Sequence, residues 1–310
     1  MRIFITGTSG FIGSHLVKTL EDRHTIYSME SDLVDFDAVR QELFDFDPEV
    51  IVHLAARTEV EKSFYEQITF SQINYVGSVN LIDAACSLKN LKNFVFASTM
   101  EVYGWQPVSD VIKKQGYIDT VPAFDEHTVP NPNAPYAVAK YGVEKYLEYA
   151  RRSFNLPFCA IRQTNTYGRK ENDFFVVEQI IMQMLTNPSV AKLGYATPYR
   201  NFLYIDDLIE LWLLIVENPD LVSGGNLFTI GPNNAVQIKE LARIIAEKLN
   251  WSGTIEWDAK PARPGEIYIL NSTHDLVTRV TGWAPKVSLN DGLDQTIAHW
   301  KKVLNKDNNV

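Results

Sequence analysis

Tyr136 and Lys140 stand four residues apart in the segment P-Y-A-V-A-K, Pro135 to Lys140. On a helix that spacing puts both side chains on one face. An ammonium beside a phenol favours the phenolate, so the pair predicts a tyrosine drawn toward neutrality that can serve as a base. Such pairs also occur on many plain helix surfaces, and this one gains weight from its company. The segment S-T-M-E-V-Y-G, Ser98 to Gly104, directly follows the apolar run Phe94 to Ala97. Residues just past a strand's C-terminal end face the ligand crevice of a parallel sheet, which makes Thr99 and Glu101 candidates for chemistry. Without the other motifs, an ordinary polar turn would read the same way.

A third cluster opens the chain: M-R-I-F-I-T-G-T-S-G-F-I-G, with Gly7, Gly10 and Gly13 at three-residue intervals. The β-branched and aromatic run Arg2 to Thr6 reads as a buried strand leading through a glycine turn into a helix. A helix start offers unpaired N–H groups, and glycines let a pyrophosphate approach the backbone, so a dinucleotide site is expected. The first gap is one residue wider than in G-x-G-x-x-G. Glu30 and Asp32 follow a second predicted strand, Thr25 to Met29. Carboxylates there suit an adenosine ribose and disfavour the extra phosphate of NADP, so the expected cofactor is NAD.

Positioning these groups requires alternating strands and helices. Apolar spacing predicts helices over Ser14 to Leu20, Asp37 to Phe44, Tyr75 to Leu88 and Tyr136 to Phe154, with strands over Val50 to Leu54, Phe94 to Ala97 and Phe158 to Arg162. That alternation predicts right-handed crossovers and an α/β fold, a Rossmann doubly wound parallel sheet. Beyond Gly168 the pattern loosens, with helices expected over Phe174 to Leu185, Leu208 to Val216, Ile238 to Leu249 and Leu293 to Leu304, and a strand over Leu227 to Ile230. The Met and aromatic residues of Phe174 to Leu185 read as lid core. Pro261 to Gly265 reads as a Pro- and Gly-rich loop and Asn305 to Val310 as a frayed tail. The expected division is a NAD-binding domain over 1–168 plus about 200–230, and a smaller C-terminal α/β substrate-binding lid over 169–199 and 231–310.

The 310 residues carry a formal charge of −9, which argues against nucleic acid or an anionic membrane as partner. Lys113-Lys114, Arg151-Arg152 and Lys301-Lys302 are isolated solvated pairs. Cys86 and Cys159 sit in apolar segments as free thiols do in a reducing compartment. A first strand starting at residue 2 leaves no room for a signal peptide, and the longest apolar run, Leu211 to Val216, is too short to span a bilayer, so a cytoplasmic protein is expected. His15, His24, His53, His127, His274 and His299 show no ligand spacing, so no metal is expected; His53 reads as a packing residue.

With these motifs in hand, the chain resembles the extended short-chain dehydrogenase/reductases, in their NAD-dependent nucleotide-sugar epimerase and dehydratase branch. The resemblance rests on T-G-T-S-G-F-I-G at Thr6 to Gly13, H-L-A-A at His53 to Ala56, N-Y-V-G-S-V-N-L at Asn74 to Leu81 and S-T-M-E-V-Y-G at Ser98 to Gly104. It continues through P-Y-A-V-A-K, R-N-F-L-Y-I-D-D at Arg200 to Asp207 and R-P-G-E at Arg263 to Glu266. It implies a retained NAD that oxidises a sugar C4, a nucleotide diphosphate sugar as partner, and a homodimer through Tyr75 to Leu88 and Tyr136 to Phe154. By family position Phe11, Ile12, Leu54, Ala55, Ala56 and Asn74 line the cofactor. Tyr136 takes the 4-OH proton, Lys140 holds the nicotinamide ribose, and Thr99 bonds the same sugar oxygen. Asn165 matches a contact to the sugar diphosphate, and Arg200 and Arg263 match residues that hold the nucleotide and its phosphates, with a surface salt bridge as the plain alternative for each.

The residues after Thr99 bear on the subtype. The family's dehydratases carry Thr-Asp-Glu, where the aspartic acid protonates the departing 6-OH and the glutamate removes the C5 proton; decarboxylases show Thr-Ser-Glu, and simple 4-epimerases small or neutral residues. Here Glu101 keeps the base while Met100 stands at the acid position, and methionine gives no proton. The expectation leans to a nucleotide-sugar 4,6-dehydratase, helped by the long connection from Tyr103 to Tyr136. A 4-epimerase is the close alternative and a decarboxylase a more distant one. A catalytically idle NAD-binding sensor or scaffold is the non-enzyme alternative. Arg200 and Arg263 do not choose among UDP, dTDP, GDP and CDP donors.

Overall fold

The computed structural model describes residues 1–170, 172–259 and 263–307. Its centre is a six-stranded sheet in which every neighbouring pair is parallel. The first half runs β1 (Arg2–Thr6), α1 (Phe11–Leu20), β2 (Thr25–Ser28), α2 (Phe36–Phe46), β3 (Val50–His53), α3 (Gly77–Ala85), β4 (Asn93–Thr99), α4 (Pro135–Phe154) and β5 (Phe158–Gln163). There follow β6 (Asn165–Tyr167), α5 (Val176–Thr186), β7 (Phe202–Tyr204), α6 (Ile205–Glu217), β8 (Gly224–Ile230), α7 (Ile238–Leu249) and α8 (Leu289–Asp307). The strand order is β8-β5-β4-β3-β1-β2, so the direction of winding reverses between β1 and β3. Ligand crevices of doubly wound sheets lie at such a reversal, outside the carboxyl ends of the strands.

Strand alternation explains why both faces are covered. Ile3, Ile5, Val50, Val52, Val95, Cys159 and Ile161 pack on one face with Leu16, Leu208 and Trp212. Phe4, Ile51, Phe94, Phe96 and Phe158 pack on the other with Val39, Leu81, Val143 and Leu147. Successive residues point to opposite faces, so a parallel sheet between two helical layers requires continuously apolar strands. A third cluster joins Met100, Val102, Tyr103, Ile112 and Phe124 to Tyr199, Ile267, Ile269 and Leu270. The long connection after Tyr103 therefore packs against the C-terminal half, where Val236–Gln237, Tyr199–Arg200 and Ile269–Leu270 form a small sheet.

Several expected boundaries move for physical reasons. The strand expected over Phe94 to Ala97 continues to Thr99, because Ser98 and Thr99 stay in register with Arg162 and Gln163. Of the helix expected over Tyr75 to Leu88, Tyr75 and Val76 fall in a π-helical turn, Gln72–Val76, that follows a short helix Gln67–Ser71, and α3 covers Gly77–Ala85. The turn carries Asn74 inward, where its side chain bonds both the N–H and the C=O of Arg57 at 2.8 and 2.9 Å. The helix expected from Phe174 starts at Val176; Phe174 is 62% exposed and does not belong to the lid core. The last helix extends through Asp307, past the onset expected for a frayed tail. Residues 308–310 of that tail and residues 261–262 of the expected loop lie outside the described residues. Among the described residues no helix is long and apolar enough to cross a membrane.

Candidate active site

One cavity of about 510 Å³ opens at the carboxyl ends of β1, β3, β4 and β5. The glycine turn forms one wall, through Gly7, Gly10, Phe11, Ile12 and Gly13. Gly7 has φ +74°, and a Cβ there would lie 2.7 Å from the Ala55 nitrogen. A Cβ on Gly13 would lie 2.2 Å from the Gly7 carbonyl oxygen, so α1 can approach the turn only with glycine there. Gly10 is the N-cap of α1 and no side chain caps it, which leaves helix N–H groups open to the cavity. This cradle fits a dinucleotide pyrophosphate.

Leu54, Ala55 and Ala56 form the facing wall, and a buried polar chain holds them there. The Ala55 N–H donates to Thr6 Oγ1 at 3.0 Å, and Thr6 Oγ1 meets His53 Nδ1 at 2.7 Å. His53 Nε2 meets Ser78 Oγ at 2.8 Å, and Ser78 donates to the Asn74 carbonyl at 2.7 Å. Since the Ser78 proton is committed to Asn74, His53 donates from Nε2 and accepts at Nδ1. Burial first, then the charge of Lys140, lowers the His53 pKa to about 3, so the ring stays neutral.

The reactive groups converge on the third wall. Thr99, at the end of β4, accepts from the Glu101 N–H at 3.2 Å and hydrogen-bonds Tyr136 from α4. Lys140 donates to the Ala97 carbonyl at 2.8 Å, with its ammonium 4.7 Å from the centre of the Phe96 ring. Burial lowers its pKa to about 7. The sequence expectation for Tyr136 needs correction here. Burial and then the Glu101 carboxylate push the phenol pKa up, against the Thr99 hydrogen bond. Lys140 bonds the Ala97 carbonyl and lies over the Phe96 ring, and burial together with Glu101 sets the rise of the phenol.

Glu101 lines the same cavity, and its Oε2 is buried without a hydrogen-bond partner. Burial raises its pKa, while Arg200 and Arg263 pull it back down. Met100 is 2% exposed, and its sulfur accepts from Thr164 Oγ1 at 2.8 Å. Asn165 also lines the cavity and donates to the Asn201 carbonyl at 3.3 Å.

Other expected residues lie outside the lining. Arg200 is buried, donating to the carbonyls of Tyr199 and Ile267 at 2.9 and 2.6 Å and pairing with Glu266 at 3.4 Å. Arg263 grips the same Glu266 through two bonds of 3.0 and 2.9 Å. Neither is a plain surface salt bridge, and both act on Glu101 by charge. Asn74 has both amide atoms committed to Arg57. Glu30 and Asp32 are exposed beyond the end of β2, with Asp32 accepting from the Val34 N–H at 3.1 Å.

Lys170, Glu178 and Gln163 line the cavity, and none was singled out from sequence. Only the position of Lys170, two residues past Gly168 in T-Y-G-R-K, offered a cue.

Comparison with known proteins agrees with this architecture. A dTDP-D-glucose 4,6-dehydratase of Dictyostelium discoideum is 29% identical over 79% of this chain, which spans 61% of that relative's length. A UDP-glucose 4-epimerase of Mycolicibacterium smegmatis is 27% identical over 97% of this chain and 99% of its own. The solved structure of a UDP-glucose 4-epimerase of Thermotoga maritima with UDP-glucose superposes with a TM-score of 0.84 at 27% identity, covering 98% of this chain and 100% of that one. Residues 3–231 match the family model described as the NAD dependent epimerase/dehydratase family. With the glycine cradle, the Tyr136, Lys140 and Thr99 constellation and this match together, the chain belongs to the NAD-dependent epimerase/dehydratase family of enzymes.

Proposed function

We propose that the protein is a nucleotide-sugar 4,6-dehydratase. NAD, when bound, supplies hydride chemistry at the sugar C4 and later at C6. With the positive nicotinamide bound, the Tyr136 phenol would be drawn back down and would take the 4-OH proton, Thr99 would share the same oxygen, and Lys140 would hold the nicotinamide ribose. Oxidation at C4 acidifies the C5–H bond. Glu101 removes that proton and, because Met100 has none to give, delivers it to the 6-oxygen as the C6–O bond breaks, C5=C6 forms and water leaves. A solvent-exchanged proton then closes C5. The observation that carries this reading is the Glu101 Oε2 atom, buried without a partner in the cavity that also holds Tyr136. Burial inside a cleft is the arrangement by which active sites raise a carboxyl toward a working acid–base range.

Met100 favours a second reading, a 4-epimerase, because the thioether at the acid position is bound to Thr164 and gives no proton. Incubation with a panel of nucleotide sugars, followed by product mass, separates the two. Loss of one water supports the dehydratase, and an unchanged mass with shifted retention supports the epimerase. Loss of carbon dioxide identifies a decarboxylase and overturns both.

We also assign Glu30 and Asp32 to the adenosine ribose and Asn165 to the sugar diphosphate. A homodimer through the helices around α3 and α4 accounts for the exposure of Ile68 (75%), Val76 (44%) and Val138 (55%). The free thiols Cys86 and Cys159 support a reducing, cytoplasmic setting.

A further inference from the structure

A family member that binds both NAD and a nucleotide diphosphate sugar must accommodate two diphosphates, and Arg200 and Arg263 are turned to Glu266 instead of the cavity. Among the described residues lining the cavity, the cations are Lys140 and Lys170, and Lys140 is the one assigned above to the nicotinamide ribose. Lys170 has a side chain only 3% exposed and pairs with Glu178, itself fully buried, at 3.3 Å. Its ammonium lies 5.1 Å from the centre of the Phe11 ring and 4.0 Å from that of Phe175. Phe11 is the first residue of α1 and Phe175 is the N-cap of α5. Neither N-cap residue caps its helix with its own side chain, Glu178 stands in the first turn of α5, and both starts line the cavity.

Helix starts facing a cavity favour anions; Glu178 serves that of α5, while the Lys170 ammonium between the two starts has no stabilising role toward either dipole. Nor does stability explain the pair, since replacing a buried ion pair by apolar groups is often neutral or favourable. An ammonium retained in that place therefore implies a negatively charged ligand.

We propose that Lys170 is a shared phosphate ligand, held ready by Glu178 between the starts of α1 and α5, and that it faces the diphosphate of the dinucleotide on one side and that of the nucleotide sugar on the other. The dinucleotide half rests on family membership, and the nucleotide-sugar half rests on the function proposed above. Glu178 also accepts from the Gly168 N–H at 3.3 Å, and His299 meets the Lys170 carbonyl at 3.0 Å, so the ammonium is delivered from a fixed backbone. Lys170 couples the two ligands because one charge serves both.

The test uses NAD-loaded protein and compares wild type with Lys170→Arg, Lys170→Met and the double variant Lys170→Met/Glu178→Met, which removes the pair without leaving a lone charge. NAD release is followed by fluorescence, and binding of inorganic pyrophosphate, a probe independent of base and sugar, by calorimetry at two salt concentrations. Both Met variants are expected to release NAD and to bind pyrophosphate at least about tenfold less favourably, with a shallower salt dependence, while Lys170→Arg stays within about threefold of wild type. The double variant melts at or above the wild-type temperature. Wild-type behaviour of both Met variants overturns the assignment. So does an equal loss in Lys170→Arg and Lys170→Met, which means a packing role, or a wild type that binds no pyrophosphate. If Lys170-dependent binding holds while no nucleotide sugar is converted, the dehydratase reading fails and the Lys170 assignment stands.

Discussion

Arg162 and Glu144 form a buried two-pronged ion pair, Nε to Oε1 at 3.0 Å and Nη2 to Oε2 at 2.7 Å. The pair ties β5 to α4 one helical turn beyond Lys140. Glu144 also accepts from Ser98 Oγ at 2.5 Å, and Ser98 immediately precedes Thr99 on β4. Arg162 reaches the Tyr103 hydroxyl at 3.3 Å. One pair outside the cavity lining therefore sets the register of Tyr136 and Lys140 against Thr99.

Glu144→Gln is expected to leave Arg162 buried without its counter-charge, which costs about 3–5 kcal/mol. Urea unfolding measures this, and a loss below about 1 kcal/mol would show that the pair is dispensable.

For Tyr136→Phe, NAD should stay bound while kcat falls by about 10²–10⁴, the range a positioned general base contributes. Cofactor absorbance and turnover are read on the same sample. Near-normal turnover would remove Tyr136 from the mechanism.

Glu101→Gln separates the subtypes. In a dehydratase it stops water loss and deuterium uptake from solvent at C5, both visible by mass and NMR. Retained C5 exchange in this variant would exclude Glu101 as the base, and little change in interconversion of C4 epimers would favour the epimerase.

Acid should destabilise the fold through His53. Its folded pKa is about 3 against 6.5 for the free side chain, so between those values the unfolded chain binds more protons. Stability is therefore full above pH 6.5 and falls as pH drops, by about 3 kcal/mol between pH 7 and pH 4. Denaturant melts of wild type and His53→Asn should diverge in slope across that window; parallel slopes would show that His53 is not the titrating group.

Placing Ile68→Lys and Val138→Lys together should yield a monomer by sedimentation, with the fold kept, since both side chains are exposed. An unchanged mass for a dimeric wild type would move the interface elsewhere.

Much of the molecule was legible in the chain itself. Local periodicity settles strands and helices whose apolar faces repeat, which is why Ile238–Leu249 appears with the bounds expected from sequence. Spacing put Tyr136 and Lys140 on one helix face, and Gly7, Gly10 and Gly13 marked a turn in which Gly7 and Gly13 leave no room for a Cβ. Tertiary structure decided where each charge points. Lys140 donates to Ala97, Arg200 and Arg263 close on Glu266, and Asn74 holds a loop. It also brought Lys170 of one loop to Phe11 of the opening turn, 159 positions apart in the sequence. Direction, burial and partner arise from packing between segments remote in sequence, and no local pattern encodes them.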